Sequence, residues 1–442
     1  MPSRPIDGRA AAPEKNPVKK EKFDSMTGAM YAAIGGLKSH MSKLNVIGHN
    51  IANCNTYGYK SQRMTFRESM YSTLTAGSDG GELAGGVNPS QIGYGAQVGC
   101  IDLNMSTSTF AASGIDLDVM INGEGFFLVG DKDAISADQL SLTRVGDFGV
   151  DPQGYLVDGD GRVVFGFATV QNPNYDPTAK EPAENATPEQ KAEYEKKKNP
   201  TIISTQLVPL RLPAAAEAPT LTNGGYPAGT TNTESATPNW LEGDAVYDVL
   251  GPVTDNKRTN INVKPGDGPN VADNDPNGAT KSQQAVNKDD LRVGLQGIKI
   301  DPKTGLVTGV NNKTGGTVSI GCIAIATVDN PSGVTHDSGP YYKAMEGAGD
   351  IHLNALGGTL NGKYLNNQEI TGTGDAQVTP PYSDSIGTGG KTVLQTGGLE
   401  ASSTDIATEF SEMITTQRGY QANTRIITVT DSMLEELVNM KR

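Results

Sequence analysis

Three loops carry residue types from which phosphate or calcium sites are built. Residues 123–125 read Gly-Glu-Gly, but no Gly-x-Gly-x-x-Gly or Gly-Lys-Ser/Thr pattern opens a helix after them, so a phosphate site is not expected. The Asp-Gly-Asp-Gly run at 158–161 has Arg162 where a calcium loop needs an oxygen ligand and Thr169 where it needs a glutamate. The oxygen-rich loop at 273–277 is typical of a solvated Asx turn. All three are interpreted as ordinary turns.

The cysteines and histidines do not indicate a metal site or a catalytic site either. The sequence holds three cysteines and four histidines, none of them at metal-ligand spacing: Cys54, Cys100, Cys322, His40, His49, His336 and His352. Gly-x-Ser-x-Gly, His-Glu-x-x-His and Cys-x-x-Cys patterns are absent. We therefore predict no catalytic residues, no cofactor-binding residues, no metal ligands and no enzymatic activity.

The composition narrows the classes of binding partner and the cellular location that the chain can have. The 442 residues include 54 Gly and 25 Pro, which favours turns and short strands, and a net charge of -14 argues against nucleic acid and anionic lipid as partners. No apolar run of about 18 residues is present to span a membrane, and no apolar leader marks the N-terminus. Taken alone, these observations predict a cytoplasmic protein.

The middle of the chain reads as all-β. Short apolar runs alternate with Gly, Asn and Asp turns from about residue 90 to residue 400. A shift toward Thr, Asn, Asp and Gly predicts an outer β domain at 214–316, inserted into an inner β domain formed by 96–213 and 317–395.

Both ends read as helices instead. Apolar residues recur at steps of 3 and 4 near the N-terminus, at Met30, Ile34, Leu37, Met41, Leu44, Ile47 and Ile51. A similar seam follows candidate N-caps at 402–405 and consists of Ile406, Phe410, Met413, Gln417, Tyr420, Thr424, Ile427, Thr430, Leu434 and Leu437. The predicted fold is mainly β with α-helical termini, in which two nested β domains stand on a base of paired helices at 26–56 and 400–442.

Two further segments complete the predicted organisation. Residues 57–95 are assigned to an extended linker. Residues 1–25 form a polar tract without periodicity, and we predict that this tract is disordered. This tract is either part of an export signal or the product of a mis-assigned start codon, in which case Met26 is the true first residue.

The run that follows the first helix stripe is more specific. It reads Asn-Ile-Ala-Asn-Cys-Asn-Thr-Tyr-Gly-Tyr-Lys over residues 50–60, and its composition alone indicates a helix C-terminal cap. The run resembles the signature of the bacterial flagellar axial proteins, the family of rod, hook and hook-associated subunits, with Cys54 where the family places Val, Ser or Ala. The positions that carry the resemblance are Asn50, Asn53, Asn55, Thr56, Gly58 and Lys60.

Other segments match the same family in the same order. Residues 118–127 resemble its D-x-A-I-x-G-x-G-F-F strand, and residues 142–148 resemble its Y-T-R-x-G-x-F segment. The C-terminal helix is similar to the family's closing helix at Gln417, Arg418 and Asn423. The resemblance covers both ends and the inner β domain, about half of the chain.

Two segments and the length resemble the hook type within this family. Residues 244–251 are similar to a V-Y-D-S-L-G segment and residues 323–333 to an L-A-x-A-T-F-x-N-P-x-G segment, whereas rod subunits are usually shorter. A distal rod subunit is the alternative within the family. A secreted carbohydrate-active enzyme with β domains is the alternative from another class, and it would require paired carboxylates in one cleft.

The resemblance implies a structural subunit that polymerises into a tube transmitting torque from rod to filament. The thin helix seams would be completed by other copies of the chain, and small residues such as Gly35 and Gly36 would permit close helix packing. Implied partners are the chain itself, rod proteins, the hook cap, the hook-filament junction proteins and the flagellar export apparatus. The implied address is extracellular, in the flagellar hook or basal body, reached without a cleaved Sec signal.

Overall fold

The structure is a computed structural model. It describes residues 17–79, 85–132, 139–171, 201–216, 243–247, 291–356 and 392–440, together with isolated positions between 180 and 198 and at 364, 365, 368 and 369. The chain divides into two compact units. The helical unit comprises 1–54, 61–104 and 404–442, and the β unit comprises 55–60 and 105–403.

Two long helices form the centre of the helical unit. α1 spans Pro17–Ala52 and α2 spans Ile406–Asn439, and they pack against each other. α2 begins where predicted, because the Asp405 carboxylate accepts hydrogen bonds from the Ala407 backbone N–H at 3.1 Å and from the Thr408 hydroxyl at 2.6 Å. The predicted helical termini are confirmed.

The first helix begins earlier than the sequence analysis assigned. Residues 17–25 were placed in the disordered tract, whereas α1 starts at Pro17. Composition misled this assignment because Lys and Glu, which lower the mean hydropathy, are also good helix formers, and proline suits the first helical position. Residues 1–16 lie outside the described part of the chain.

The segment expected to be an extended linker contains strands of the helical unit. β1 pairs antiparallel with β4, with an irregularity between Met64 and Phe66, and β2 pairs antiparallel with β3. Their bounds are β1 Gln62–Glu68, β2 Tyr71–Thr75, β3 Ser90–Gly93 and β4 Ala96–Leu103. Strand pairing at long sequence separation, rather than local composition, orders this segment.

The β unit is built around one large sheet. Nine strands pair in the order β18-β19-β8-β7-β17-β11-β12-β21-β22, and β9, β10, β15, β16 and β20 attach to this path. The strands of the unit up to β14 are β5 Phe110–Ala112, β6 Val119–Asn122, β7 Phe126–Gly130, β8 Leu140–Thr143, β9 Gly149–Val150, β10 Leu156–Val157, β11 Val163–Gln171, β12 Thr201–Pro209, β13 Ala214–Ala215 and β14 Ala245–Val246. The remaining strands are β15 Leu295–Ile300, β16 Leu306–Asn311, β17 Thr317–Val328, β18 Thr335–His336, β19 Tyr341–Lys343, β20 Ile351–Ala355, β21 Tyr364–Leu365, β22 Gln368–Glu369, β23 Val393–Thr396 and β24 Gly398–Glu400.

The longest strand, β17, occupies the middle of this sheet. It pairs antiparallel with β7, β11, β16 and β20, and most of its side chains are buried. The core beside it includes the fully buried Phe127 and Val164, and the Phe127 ring meets the Phe148 ring edge-on at 5.1 Å. Two short pairs, β23 with β6 and β24 with β5, join the C-terminal strands to strands near the start of the unit.

The boundary predicted for the outer β domain differs from the structure at its C-terminal end. β15 and β16 lie within the predicted domain 214–316, yet β16 pairs with β17 in the main sheet and β15 pairs with β16. Residues 295–311 of the predicted outer domain therefore belong to the main sheet. Residues 217–242 and 248–290, which make up most of the predicted outer domain, lie outside the described residues.

Candidate assembly site

The two long helices face each other along a seam of mixed character. α1 and α2 run antiparallel, since Asn50 contacts Glu409 near one end of the seam and Gly36 lies beside Asn423 farther along. Most side chains of α2 that are buried or half-buried recur at steps of 3 and 4, at Glu409, Met413, Thr416, Tyr420, Asn423, Ile427, Thr430 and Leu434, and Thr424 is half-buried beside them. This stripe is shifted from the predicted seam at several positions.

The predicted helix residues fall into two groups. Ile47 is buried, and the half-buried group consists of Met30, Ile34, Leu37, Leu44, Ile51, Met413, Tyr420, Ile427 and Leu434. Thr424 is also half-buried and Thr430 is buried. Met41, Ile406, Phe410 and Leu437 are instead 50%, 43%, 49% and 41% exposed, and Gln417 is exposed as well. The structure therefore buries or half-buries most of the predicted residues and leaves these five facing solvent.

Further exposed apolar side chains of α2 lie outside the seam, in one group at 406–414 and a second group at 426–437. We name this set the outer stripe: Ile406, Phe410, Ile414, Ile426, Val429, Met433 and Leu437. Each of these side chains is 41% to 54% exposed. Groups of apolar side chains that are this exposed mark a surface suited to another protein. The steps of 3 and 4 among Ile426, Val429 and Met433 were the signal available in the sequence.

Glycines allow the two helices to approach closely. A Cβ on Gly36 would lie 2.8 Å from the Asn423 Nδ2, and a Cβ on Gly419 would lie 2.6 Å from the His40 ring. One glycine from each helix thus permits this approach within the chain. Burial and the neighbouring Lys43 cation lower the pKa of His40.

The first residue of the motif connects three elements of the helical unit. Asn50 is almost completely buried, and its amide exchanges two hydrogen bonds with the backbone of Gln62, at 2.8 and 2.9 Å. The same amide nitrogen donates to the Glu409 carboxylate at 2.8 Å. Burial raises the pKa of Glu409, and the hydrogen bond from Asn50 opposes that rise. An asparagine is suited to this position because its amide both donates and accepts.

The remaining motif residues end the helix and turn the chain. Asn53 donates to the His49 carbonyl at 2.9 Å, next to the end of α1. Asn55 and Thr56 are exposed. Gly58 has a φ of +68°, and a Cβ there would lie 2.7 Å from the Val145 side chain, so glycine is required by both backbone and space.

Lys60, the last motif residue, belongs to a buried ionic cluster in the β unit. Its Nζ lies 2.7 Å from Glu400 Oε1 and 2.9 Å from the Ser106 carbonyl oxygen. Arg144 Nη1 lies 3.7 Å from Glu400 Oε2. The side chains of Lys60 and Glu400 are 0% exposed and that of Arg144 is 2% exposed. Burial is the largest cause that lowers the pKa of both Lys60 and Arg144.

Lys60 is recognisable in the sequence through the motif, but its partners are not. Glu400 stands 340 residues further along, and the spacing of the sequence holds no local signal for that contact. Among the closing-helix residues, Gln417 and Arg418 are exposed, whereas Asn423 is half-buried beside Gly36.

Tyr342 packs beside this ionic cluster and supplies a pH-dependent contribution to stability. Its hydroxyl accepts a hydrogen bond from the Lys60 backbone N–H, and burial raises the pKa of Tyr342 well above its usual value. As pH rises past about 10, tyrosines of the unfolded chain lose their protons before Tyr342 does in the folded protein. The unfolded state then binds fewer protons, so the free energy of unfolding falls as pH rises.

We expect Tyr342→Phe to make this alkaline loss shallower. The variant is less stable than the wild type at pH 8, because the Lys60 N–H loses its acceptor, but the difference narrows toward pH 11. Urea midpoints measured at intervals from pH 8 to 11 test this expectation. Parallel pH profiles for the two proteins would show that Tyr342 does not carry the effect.

Two of the three loops first considered for ligands have structural roles, and the third, at 273–277, lies outside the described residues. Residues 158–161 turn the chain between β10 and β11, and the Tyr341 hydroxyl oxygen lies 2.7 Å from an Asp158 carboxylate oxygen and 2.8 Å from an Asp160 carboxylate oxygen, which share its one proton. Gly123 and Gly125, with φ of +129° and +123°, connect β6 to β7. Within the described part of the chain, no group of His, Cys, Asp and Glu residues is arranged to hold a metal ion. None of the described helices is long and apolar enough to cross a membrane.

Comparison with known families identifies the same three parts of the chain. Residues 30–60 match the flagella basal body rod protein family, and residues 120–187 match the D1 domain family of the flagellar hook proteins FlgE, FlgF and FlgG. Residues 395–440 match the C-terminal family of the flagellar basal body rod FlgEFG proteins. These matches coincide with α1 and its motif, the first part of the β unit, and α2.

Individual proteins are similar over nearly the whole chain. The flagellar basal-body rod protein FlgG of Bacillus subtilis is 27% identical over 94% of this chain and 100% of its own length. The flagellar hook protein FlgE of Borreliella burgdorferi is 25% identical over 94% of this chain and 100% of its own length. The flagellar hook protein FlgE of Escherichia coli is 26% identical over 93% of this chain and 100% of its own length. With its paired terminal helices, its motif and its β unit in the same order, the chain belongs to the flagellar hook and rod protein family.

Proposed function

We propose that the protein is the structural subunit of the flagellar hook, the tubular joint that transmits torque from the rod to the filament. The observation that carries this proposal is the outer stripe of α2, in which seven apolar side chains are 41% to 54% exposed. Contact with neighbouring copies would bury these side chains, and head-to-tail contacts that do not close generate a helical tube.

A second exposed apolar surface of the helical unit supports the same conclusion. Met70 and Leu74, in and beside β2, are 78% and 61% exposed, and Val87 is 62% exposed. A subunit designed to remain monomeric rarely leaves this much apolar surface in solvent. We infer that further copies of the chain contact this surface in the tube.

Hook rather than rod is favoured by the relatives. Hook proteins from spirochaetal and enteric bacteria align with more than nine-tenths of the chain and with their own full length. The rod protein of Bacillus subtilis also aligns over its full length, which keeps a distal rod subunit as the second candidate. The flagellar hook and basal body is the location that both candidates share.

The other partners follow from this position in the flagellum. We propose contacts with rod proteins at one end of the tube, with the hook cap and the hook-filament junction proteins at the other, and with the flagellar export apparatus during delivery. A structural role without catalysis is proposed as well, since the related proteins are named as hook and rod subunits. The net charge of -14 argues against nucleic acid as a partner.

Polymerisation of the purified full-length chain tests the proposal. The protein is concentrated at increasing ionic strength, and the product is examined by electron microscopy. Curved tubes support the hook subunit, and straight rigid tubes identify the rod subunit instead. Failure to polymerise under any condition, or hydrolysis of a polysaccharide by the monomer, would contradict a structural subunit.

A further inference from the structure

The buried cluster of Lys60, Arg144 and Glu400 joins parts of the chain that are far apart in sequence. Lys60 lies in the segment that follows α1, and Glu400 lies in the segment that precedes α2. Arg144 directly follows β8, and its guanidinium donates to the carbonyl oxygens of Gly123 at 2.9 Å and Ile121 at 3.3 Å. The cluster is thus anchored in the sheet and reaches both connecting segments.

Backbone hydrogen bonds hold these two connecting segments side by side. The Gly58 N–H donates to the Glu400 carbonyl oxygen at 2.8 Å, and the Ser403 N–H donates to the Tyr59 carbonyl oxygen at 3.0 Å. The Ser108 N–H donates to Glu400 Oε1 at 2.8 Å. The Glu400 side chain is therefore the point where both segments and the start of the β unit meet.

The charges of the cluster do not balance. Protonated Lys60 and Arg144 contribute two positive charges and Glu400 one negative charge, and the nearest further anion facing Arg144 is the exposed carboxylate of Glu124. Among the described residues, Glu400 Oε2 and Arg144 Nε have no hydrogen-bond partner. A buried charge without a partner is strongly unfavourable, so the two cations depend on the single carboxylate.

We propose that Glu400 is a positioning residue whose carboxylate compensates the buried charges of Lys60 and Arg144. Without this compensation, the segment that follows α1 and the segment that precedes α2 do not pack against each other. The two segments therefore dock together or not at all, and their docking closes this end of the β unit. Before residue 400 arrives, burial of both cations would be uncompensated, and the segment at 55–60 would stay open. The cluster then makes closure of this end of the β unit depend on a residue that follows every strand of the main sheet in sequence.

Three variants distinguish this ionic closure from simple packing. Glu400→Gln keeps the shape of the side chain but raises the net charge of the cluster from one to two. Lys60→Met lowers it from one to zero, and the double variant restores the original value of one. Arg63→Met is the matched control, because it removes a cation that is 77% exposed.

Amide hydrogen exchange of the full-length monomer provides the measurement. We expect Glu400→Gln to lower protection at least tenfold in peptides covering 55–61 and 398–404 together, while peptides from β11 and β17 keep their protection. Lys60→Met should lower protection by less than threefold, and the double variant should recover most of the protection lost in Glu400→Gln. Arg63→Met should match the wild type.

Other outcomes would overturn the proposal. Loss of protection in only one of the two segments would show that they do not dock together. Equal losses in Glu400→Gln and Lys60→Met, without recovery in the double variant, would show that packing rather than charge closes the unit. If Glu400→Gln fails to fold, Lys60→Met and the double variant still test the proposal. The proposal requires that both variants keep amide protection in both segments, and loss of protection in either variant would contradict it.

Discussion

Replacing Val429 and Met433 together by serine should raise the concentration at which the subunits begin to polymerise by about thirtyfold. These two outer-stripe side chains are 52% and 49% exposed in the isolated chain. Burying the remaining apolar surface of each against a neighbouring copy contributes about 1 kcal/mol. Losing about 2 kcal/mol per subunit corresponds to the stated change, since each 1.4 kcal/mol is tenfold.

The matched control for this prediction lies in the same turns of the helix. Asp431 is exposed and polar, so Asp431→Ser should leave the critical concentration unchanged. The helix content of all variants is compared by circular dichroism, and polymerisation is followed by light scattering and sedimentation. A critical concentration that is the same in the wild type and the double variant would exclude the outer stripe from the contacts between copies.

The helical part of the fold was predictable because its signal is local. Steps of 3 and 4 identified both helices, and Asp405 was among the predicted caps. The seam was less predictable, because α2 is apolar on two faces. Thr416 is buried toward the seam, whereas Phe410 and Leu437 are exposed, and hydrophobicity alone assigns these three residues the other way round.

The contacts that hold the motif could not be predicted from spacing. The resemblance indicated that Asn50, Gly58 and Lys60 matter, but the reasons depend on tertiary contacts with Gln62, Val145 and Glu400. Each of these partners comes from a different strand or segment, and only pairing in the folded chain brings them together. For the same reason, the sequence did not predict that β15 and β16 belong to the main sheet, because their position depends on the pairing of β16 with β17.

Gly146 lies in segment 142–148, which resembles the Y-T-R-x-G-x-F segment of the family, and its close tertiary contacts can be tested by substitution. A Cβ at Gly146 would overlap the carbonyl oxygen of Val119 and lie 2.9 Å from the Phe127 ring. The Val119 N–H also donates to the Gly146 carbonyl oxygen at 2.9 Å, which holds the two backbones close. Because Val119 and Phe127 are fully buried, neither can move aside without disturbing the core.

We therefore expect Gly146→Ala to lower the free energy of unfolding of the β unit by about 3 kcal/mol, as is typical of overpacking against a rigid backbone. Gly149→Ala is the matched control, because a Cβ there meets no atom of the described residues within 4 Å, and it should change stability by no more than about 0.5 kcal/mol. Urea-induced unfolding of the monomer, followed by circular dichroism of the sheet, compares the two variants with the wild type. Equal midpoints for Gly146→Ala and Gly149→Ala would mean that the backbone at residue 146 can relax, and the close approach to Val119 would then not explain why glycine stands in this segment.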